Sequence, residues 1–540
     1  MAAVASTVSA LPREAPARKL RVGVFADRPA QPRWLFDALA KVAASDCAEL
    51  SLVCTGDAAR PHGASALLRA FETFDTKLVA RRDLCAESDI RILAPGARRV
   101  ALDPRSAAGN IGIRALGLDV AIVLGDVDAA ALERVARFGA WRYAFGDAHD
   151  PREPHAGVRE VISGSPTTAV AIRIRANGAE RIACRSWSRT LGWSVAQNRA
   201  NLFSKASSFL ERALTHLHAR GPGWLDEETI ESGAATCALA EAPLAPADLP
   251  RLGMKLVGRA IERAFTVGQW SIAFRFTPRE TWDASLAGFH RLAPPRDRFW
   301  ADPFPLVRNG RAWIFFEELR FGDDKAHISV AEVDRDGRAS AARTVLERDY
   351  HLSYPSLIED AGELYMIPET AGNHTVEIHR CVEFPHRWRR EKVLIDGLWC
   401  ADATLWRGPD RWWMFVNAGH EGAEIHDELH IFSAPRLLGP WSPHPRNPVK
   451  SDIRCARPAG NLFRENDVLY RPAQICAPIY GAGVALQRVT KLTPVEYAEA
   501  EERRIEPPAG AGFVGLHTIN RAGELSVADV FARRARFGMP

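Results

Sequence analysis

The chain has 540 residues, several times the usual domain length, so two or more domains are expected. Its 47% hydrophobic and 25% charged residues are those of a folded globular protein. The 70 basic and 66 acidic residues leave a net +4, which excludes a strongly basic nucleic-acid binder, and no uncharged apolar run approaches the ~20 residues of a membrane helix.

Residues 1–19 are Ala-rich but broken by Pro12 and Pro16, and read as a disordered tail rather than a secretory leader. The nine cysteines are scattered, odd in number and never spaced as CxxC, so neither a disulfide framework nor a zinc site is expected. Reduced thiols in a cytoplasm fit that usage.

Leu20–Ala26 reads as a buried strand, 32–44 as a helix carrying Trp34, Leu35, Leu39 and Val42 on one face, and Glu49–Cys54 as a second strand. Leu118–Gly125 reads as a third strand, followed by a helix through Leu132, Val135 and Phe138 that stops at Gly139. This alternation predicts a parallel α/β sheet, with Gly125 and Asp126 at a strand end where such sheets place ligand crevices. No GxGxxG or GxxxxGK[ST] is present, so nucleotide-loop binding has no motif behind it. Asn177-Gly178 between two alternating runs predicts a hairpin, and one long helix over 197–218 closes the unit.

This order over about 20–218 resembles the formyltransferase-like fold of the methionyl-tRNA formyltransferase group. That resemblance implies formyl transfer, which needs oxyanion stabilisation and a proton shuttle. The group's Asn and His–Pro–Ser are missing, and Asp147 and His149 are the shuttle candidates left.

From about 221 to 250 the composition turns to Ala, Pro, Gly and acidic residues, a connector. A basic amphipathic helix over 251–265 follows, with Lys255, Arg259 and Arg263 four apart. It reads either as docked on the next domain or as lying on a membrane surface.

Ten of the fifteen tryptophans lie from Trp270 onward, within a repeat. Its leading residues are Asp302, Tyr354, Asp402, Arg457 and His517, at spacings of 52, 48, 55 and 60. In the first four copies a turn is followed seven residues later by Glu317, Glu369, Asn417 or Gln474. Strand-and-turn units near 50 residues long predict a five-bladed β-propeller, with Trp270–Phe276 closing the ring. The leading residues then converge at one mouth, joined by the four second-strand residues. Carboxylates sharing a cavity raise one another's pKa, the arrangement glycoside chemistry uses for an acid and a base. Trp300, Trp399, Tyr354 and Trp406 are candidate faces for sugar C–H surfaces, and Arg457 and Arg471 candidate anion contacts.

The repeat is similar to the five-bladed propellers of the arabinanase, levansucrase and invertase glycosidases. Ala301-Asp302-Pro303-Phe304, Leu352-Ser353-Tyr354-Pro355-Ser356, the run from Tyr365 to Thr370, Gly439-Pro440-Trp441, the run from His444 to Val449 and Arg457-Pro458-Ala459-Gly460 more closely resemble the N-terminal propeller of plant glucosamine inositolphosphorylceramide transferases. Bacterial proteins fuse such a propeller to a formyltransferase-like domain, and this chain resembles them. The glycosidase resemblance implies Asp302 as base or nucleophile and Glu369 as acid; the supporting Asp expected on the second blade is Tyr354, with Asp402 one blade later.

The expected architecture is therefore multidomain α/β plus all-β: tail 1–19, formyltransferase-like α/β domain 20–220, linker and helix 221–266, and five-bladed β-propeller 267–540. The expected function is that of a cytoplasmic carbohydrate-active protein of glycan or glycolipid biosynthesis, with glycosyl transfer or hydrolysis through Asp302, Glu369 and Asp402. Substrate contacts are assigned to Glu317, Tyr354, Asn417, Arg457, Arg471, Gln474, His517 and Trp300, with no metal assigned and the cofactor open. The alternatives are a formyl or acyl transferase acting on an amino sugar, with the propeller as recognition module, and a non-catalytic glycan-binding scaffold.

Overall fold

The computed structural model describes residues 18–56, 66–79, 83–100, 112–146, 156–227, 248–277, 286, 288–419, 423–507, 510 and 512–536. The chain divides into two compact units, Pro12–Arg259 and Ala260–Gly419 with Glu424–Pro540. The division falls inside the helix Asp248–Phe265.

In the first unit a seven-stranded sheet runs Arg98–Val100, Ala48–Thr55, Leu20–Ala26, Val120–Leu124, Ala140–Phe145, Thr167–Ala176, Ala179–Arg189. The first five are parallel to their neighbours and the last two antiparallel. The parallel strands are near-continuous apolar runs because helices cover them. The helix Arg33–Ala44 buries Trp34, Leu35, Ala38, Leu39 and Val42. Trp34 stacks on Phe203 and meets Tyr143 edge-on. Asn177 and Gly178 both take positive φ, 53° and 78°, as the tight hairpin between the last two strands requires.

Two predicted helices come out differently. The one after the third strand is a single turn, Ala129–Leu132, capped by the Asp128 carboxylate. The long helix over 197–218 is two, Val195–Ala206 and Phe209–Arg220. The hydroxyls of Ser207 and Ser208 bond back to the Ser204 and Lys205 carbonyls, taking acceptors that a continuing helix would use.

The basic helix is docked on protein along one side, within the first unit. Leu252 lies in a buried cluster with Val158, Val161 and Val195, and Lys255 donates to the Val161 carbonyl. That docking is on residues of the preceding unit, while Met254, Val257, Ile261 and Phe265 of the same helix are exposed. Among the described residues no helix is long and apolar enough to cross a membrane.

The second unit is a five-bladed β-propeller. Its first three blades begin with Arg298–Arg308, Ser353–Asp360 and Cys400–Arg407, and the fourth with the short strand Phe463–Glu465. The fifth is composite: Ile519–Ala522 and Leu525–Ala535 from the chain's end join Thr266–Phe276 and His290–Leu292. Thr266–Phe276 pairs with Leu525–Ala535 along its whole length, so the expected closing strand closes the ring. Between blades the core is aromatic and aliphatic, with Trp300, Phe316, Ile272 and Phe274 in one such layer.

Candidate functional site at the propeller mouth

Three backbone bulges build the mouth. In blades 1, 2 and 3 the pairing of first and second strands skips after Ala301, Ser353 and Ala401. The residues released are Asp302, Tyr354 and Asp402, with φ of 51°, 45° and 55°. A non-glycine residue with left-handed φ is uncommon, and three in equivalent places mark a repeated device that turns the leading side chain out of the ladder. The second-strand residues Glu317, Glu369 and Asn417 lie directly across from or beside these bulges.

Asp302 is 4% exposed, and its Oδ1 accepts the Thr518 hydroxyl at 2.6 Å. Its backbone N–H donates to Asp529 at 3.1 Å, while Asp529 also accepts the His517 and Thr518 amides. His517 sits between the two acids, Nδ1 2.5 Å from Asp529 and Nε2 3.7 Å from Asp302, with its ring stacked on Trp270 at 4.0 Å. Burial pushes the Asp302 carboxyl up to about 7, helped by Asp402, Glu317 and Asp529 and opposed by His517. Burial would lower His517, but Asp529 and Asp302 outweigh it and raise the imidazole to about 9.

Opposite lies a second network. Arg457 forks onto Asp402 at 2.6 and 3.2 Å and reaches Glu369 at 3.4 Å. Its Nη1 is 2.8 Å from His426 Nδ1; arginine only donates, so Nδ1 accepts and the His426 proton is on Nε2. The guanidinium lies over the Tyr480 ring, 5.3 Å from its centroid. Gln474 donates to Asp402 at 3.0 Å. Glu369 is raised to about 8, first by burial and then by the Asp402 charge, which Arg457 only partly offsets. Glu317 meets His351 Nε2 at 3.2 Å, and the ring's Nδ1 accepts the Ala326 amide.

The structure thus gathers Asp302, Glu317, Glu369, Asp402, Arg457, Gln474 and His517 in one electrostatic network, but their availability differs. Both Asp402 oxygens are filled by Arg457 and Gln474, and Arg457 is itself committed to Asp402, Glu369 and His426. Arg457 is a clamp rather than an open anion contact.

Four other candidates are placed differently. Tyr354 is fully buried, its hydroxyl bonded to Thr404 and to the Gly460 amide, because the bulge drives it inward between blades. Arg471 is fully buried in a two-point ion pair with Glu499 and also donates to the Cys455 and Ala456 carbonyls. Trp300 is packed on Phe316 in an interblade core. Asn417 is buried and spends its amide on the Glu428 carbonyl.

Sequence reading missed His351, His426, Tyr480, Trp270, Thr518 and Asp529. All stand outside the two repeat offsets, so no periodic signal marks them. Asp302, His517 and Asp529 are also a trio of metal-ligand type, their donor atoms within 4.8 Å. Asp529 accepts the Asp302, His517 and Thr518 amides, and Asp302 the Thr518 hydroxyl.

In the first unit the expected crevice holds a carboxylate from a different strand end. Asp27 accepts the Asp126 amide at 3.2 Å and Gln31 Nε2 at 3.1 Å. Asp147 and His149 lie outside the described residues.

Comparison with known proteins covers the mouth residues from Asp302 to Tyr480, while Trp270, His517, Thr518 and Asp529 lie outside the matched stretch. Residues 290–508 match a family described as glucosamine inositolphosphorylceramide transferase 1, N-terminal. The transferase 1 of Oryza sativa subsp. japonica is 37% identical over 205 residues, which are 37% of this chain and 27% of the rice protein. That of Arabidopsis thaliana is 30% identical over 208 residues, 38% of this chain and 27% of the relative. The chain thus spans about a quarter of the curated relatives it matches. These relatives are plant proteins, which corrects the expectation of a bacterial chain.

Among solved structures, a family 117 glycoside hydrolase of Zobellia galactanivorans aligns with a TM-score of 0.32 and 13% identity, covering 48% of this chain and 90% of that one. An α-L-arabinanase of Cellvibrio cellulosa in complex with arabinohexaose gives 0.31 and 12%, covering 37% and 77%. The blade count rests on the strand pairing.

Proposed function

We propose that the chain is a carbohydrate-active protein of glycan or glycolipid biosynthesis that transfers or hydrolyses a glycosyl bond at the propeller mouth. The observation that carries this reading is the pair Asp302 and Glu369. Both carboxyls are held above the ordinary carboxylate range by burial within one electrostatic network. Near neutral pH Glu369 then keeps its proton and serves as general acid to the leaving oxygen, while Asp302 ionises first and serves as base or nucleophile. Asp402 sustains the acid by its charge, and Arg457 holds both in place. The match to proteins named glucosamine inositolphosphorylceramide transferase 1 supports a carbohydrate-related substrate.

The test is turnover by the parent chain and by Asp302→Asn and Glu369→Gln on panels of sugar nucleotides and aryl glycosides. Each variant is expected to lose about 10³-fold in kcat. Unchanged turnover in either, or none by the parent, ends the reading.

A second reading rests on the first unit, where Asp27 and Gln31 line the crevice beside Gly125, at the point where strand order reverses. There the formyltransferase-like resemblance would have the unit transfer a formyl or acyl group to an amino sugar. It predicts a rise in the chain's Tm with 10-formyltetrahydrofolate, and a flat response counts against it.

A further inference from the structure

Blades 3 and 4 enclose a groove of about 630 Å³ that takes no part in the mouth. Its walls are the turn after the strand Cys400–Arg407 and the two turns that flank the second and third strands of blade 4. First strands start at the mouth and end at these turns. Asp402 and Gly408 are six residues apart along one strand, which puts the groove roughly 20 Å from the mouth, on the other side of the ring.

Four cations line the groove, two of them on aromatic support. Trp406 and Trp413 are cross-strand partners. The Arg464 guanidinium lies 5.9 Å from the Trp406 ring and that of Arg411 5.9 Å from Trp413. Arg488 and Lys491 complete the lining, against Asp410 and Asp467 as its only carboxylates. Arg411 pairs with Asp410 at 3.0 Å, Arg488 with Glu502 at 3.5 Å and Lys491 with Glu496 at 2.7 Å. Arg464 is held by the Asp467 carbonyl at 2.7 Å and, among the described residues, meets no carboxylate. A guanidinium laid against an indole keeps N–H edges for a ligand and is a fork that matches a carboxylate or phosphate. Between the cations Val489, Leu492 and Pro494 offer apolar surface for C–H groups, and the volume lies within the span of small-molecule sites.

We propose that this groove is a second binding site, for a saccharide bearing carboxylate or phosphate, with Arg464 as its principal anion contact and Arg488 beside it. The sugar part of the assignment rests on the carbohydrate reading of the mouth; the anion part rests on the groove alone.

The full chain is titrated by calorimetry with tetragalacturonate, glucose 6-phosphate and neutral galactotetraose. At least one acidic probe is expected to bind at least tenfold more tightly than the neutral one, and to weaken as NaCl is raised. Which acidic probe binds separates carboxylate from phosphate recognition. Arg464→Gln with Arg488→Gln is expected to weaken that binding at least tenfold, and Arg464→Lys to restore part of it, with Tm unchanged throughout. Asp302→Asn is expected to leave the affinity as it is, which separates failure of the mouth from failure of the groove. Equal binding of the neutral probe, no binding of either acidic probe at millimolar concentration, no effect of the Arg→Gln pair, or loss of binding in Asp302→Asn each overturns the proposal. Binding of phosphatidylserine vesicles through the same arginines without any saccharide overturns it too.

Discussion

Asp302 and Glu369 are displaced in the same direction by different surroundings, and the difference sets a pH window. Under the proposed roles Asp302 acts ionised, so activity rises through about pH 7, and Glu369 acts protonated, so activity falls through about pH 8. A narrow bell in kcat/KM between those limbs is expected, and a flat profile from pH 5 to 9 would refute the pairing. A second buried group speaks to stability. His379 is fully buried, and burial, followed by Arg348 and Arg390, lowers its pKa to about 3 from the 6.5 of an exposed histidine. Between those values the unfolded chain binds more protons, so this contribution is whole above pH 6.5 and is lost as pH falls. The loss amounts to about 2 kcal/mol by pH 5. The drop in Tm between pH 7 and pH 5 is therefore expected to shrink in His379→Gln. At this scale the mouth was partly legible. Residues on the repeat offsets, such as Glu317, Gln474 and His517, were found. Asp529 and His351 were not, because a partner chosen by proximity leaves no period in the chain.

Among elements, the bulge is what converts a strand residue into a site residue, and it acts unequally. At Asp302 and Asp402 it delivers a carboxylate to the mouth network; at Tyr354 the same left-handed turn drives the ring into the interior, where its hydroxyl braces Gly460. Gly460 itself has φ 127°, and a Cβ there would stand 2.0 Å from the Ile519 carbonyl. Gly460→Ala is expected to cost about 3 kcal/mol, read as a fall in Tm, because neither the backbone angle nor the blade 5 strand can give way. A Tm within 1 °C of the parent would show that the interblade contact is loose. The repeat offset predicted equivalent leading positions for all five, yet an offset fixes chain distance only; the neighbours that decide which way a side chain turns come from the adjoining blade.

For the whole molecule, closure of the ring joins the two ends of the second unit. The strand Leu525–Ala535 stands between Ile519–Ala522 and Thr266–Phe276, and it also carries Asp529, which anchors the Asp302 and His517 amides. A chain ending at residue 524 loses both the strand and that anchor. It is expected to lose the propeller's cooperative melt and all binding at the mouth; an unchanged melting curve would show that closure is dispensable.

By itself the sequence determined the propeller, its five copies, its closing strand and the parallel α/β sheet, because each rests on periodicity, turn chemistry or apolar runs, which are local properties of a chain. It also determined that acidic and amide side chains recur at two offsets. Only the tertiary structure decided which of them are free. Arg457 and Asp402 satisfy each other, Arg471 belongs to Glu499, and the helix over 197–218 breaks at two serines. The helix break depends on hydroxyls that bond back within one turn, and the two ion pairs on a burial cost met by a partner distant in the chain. Such partners are chosen by the fold, so the chain's own order does not announce them.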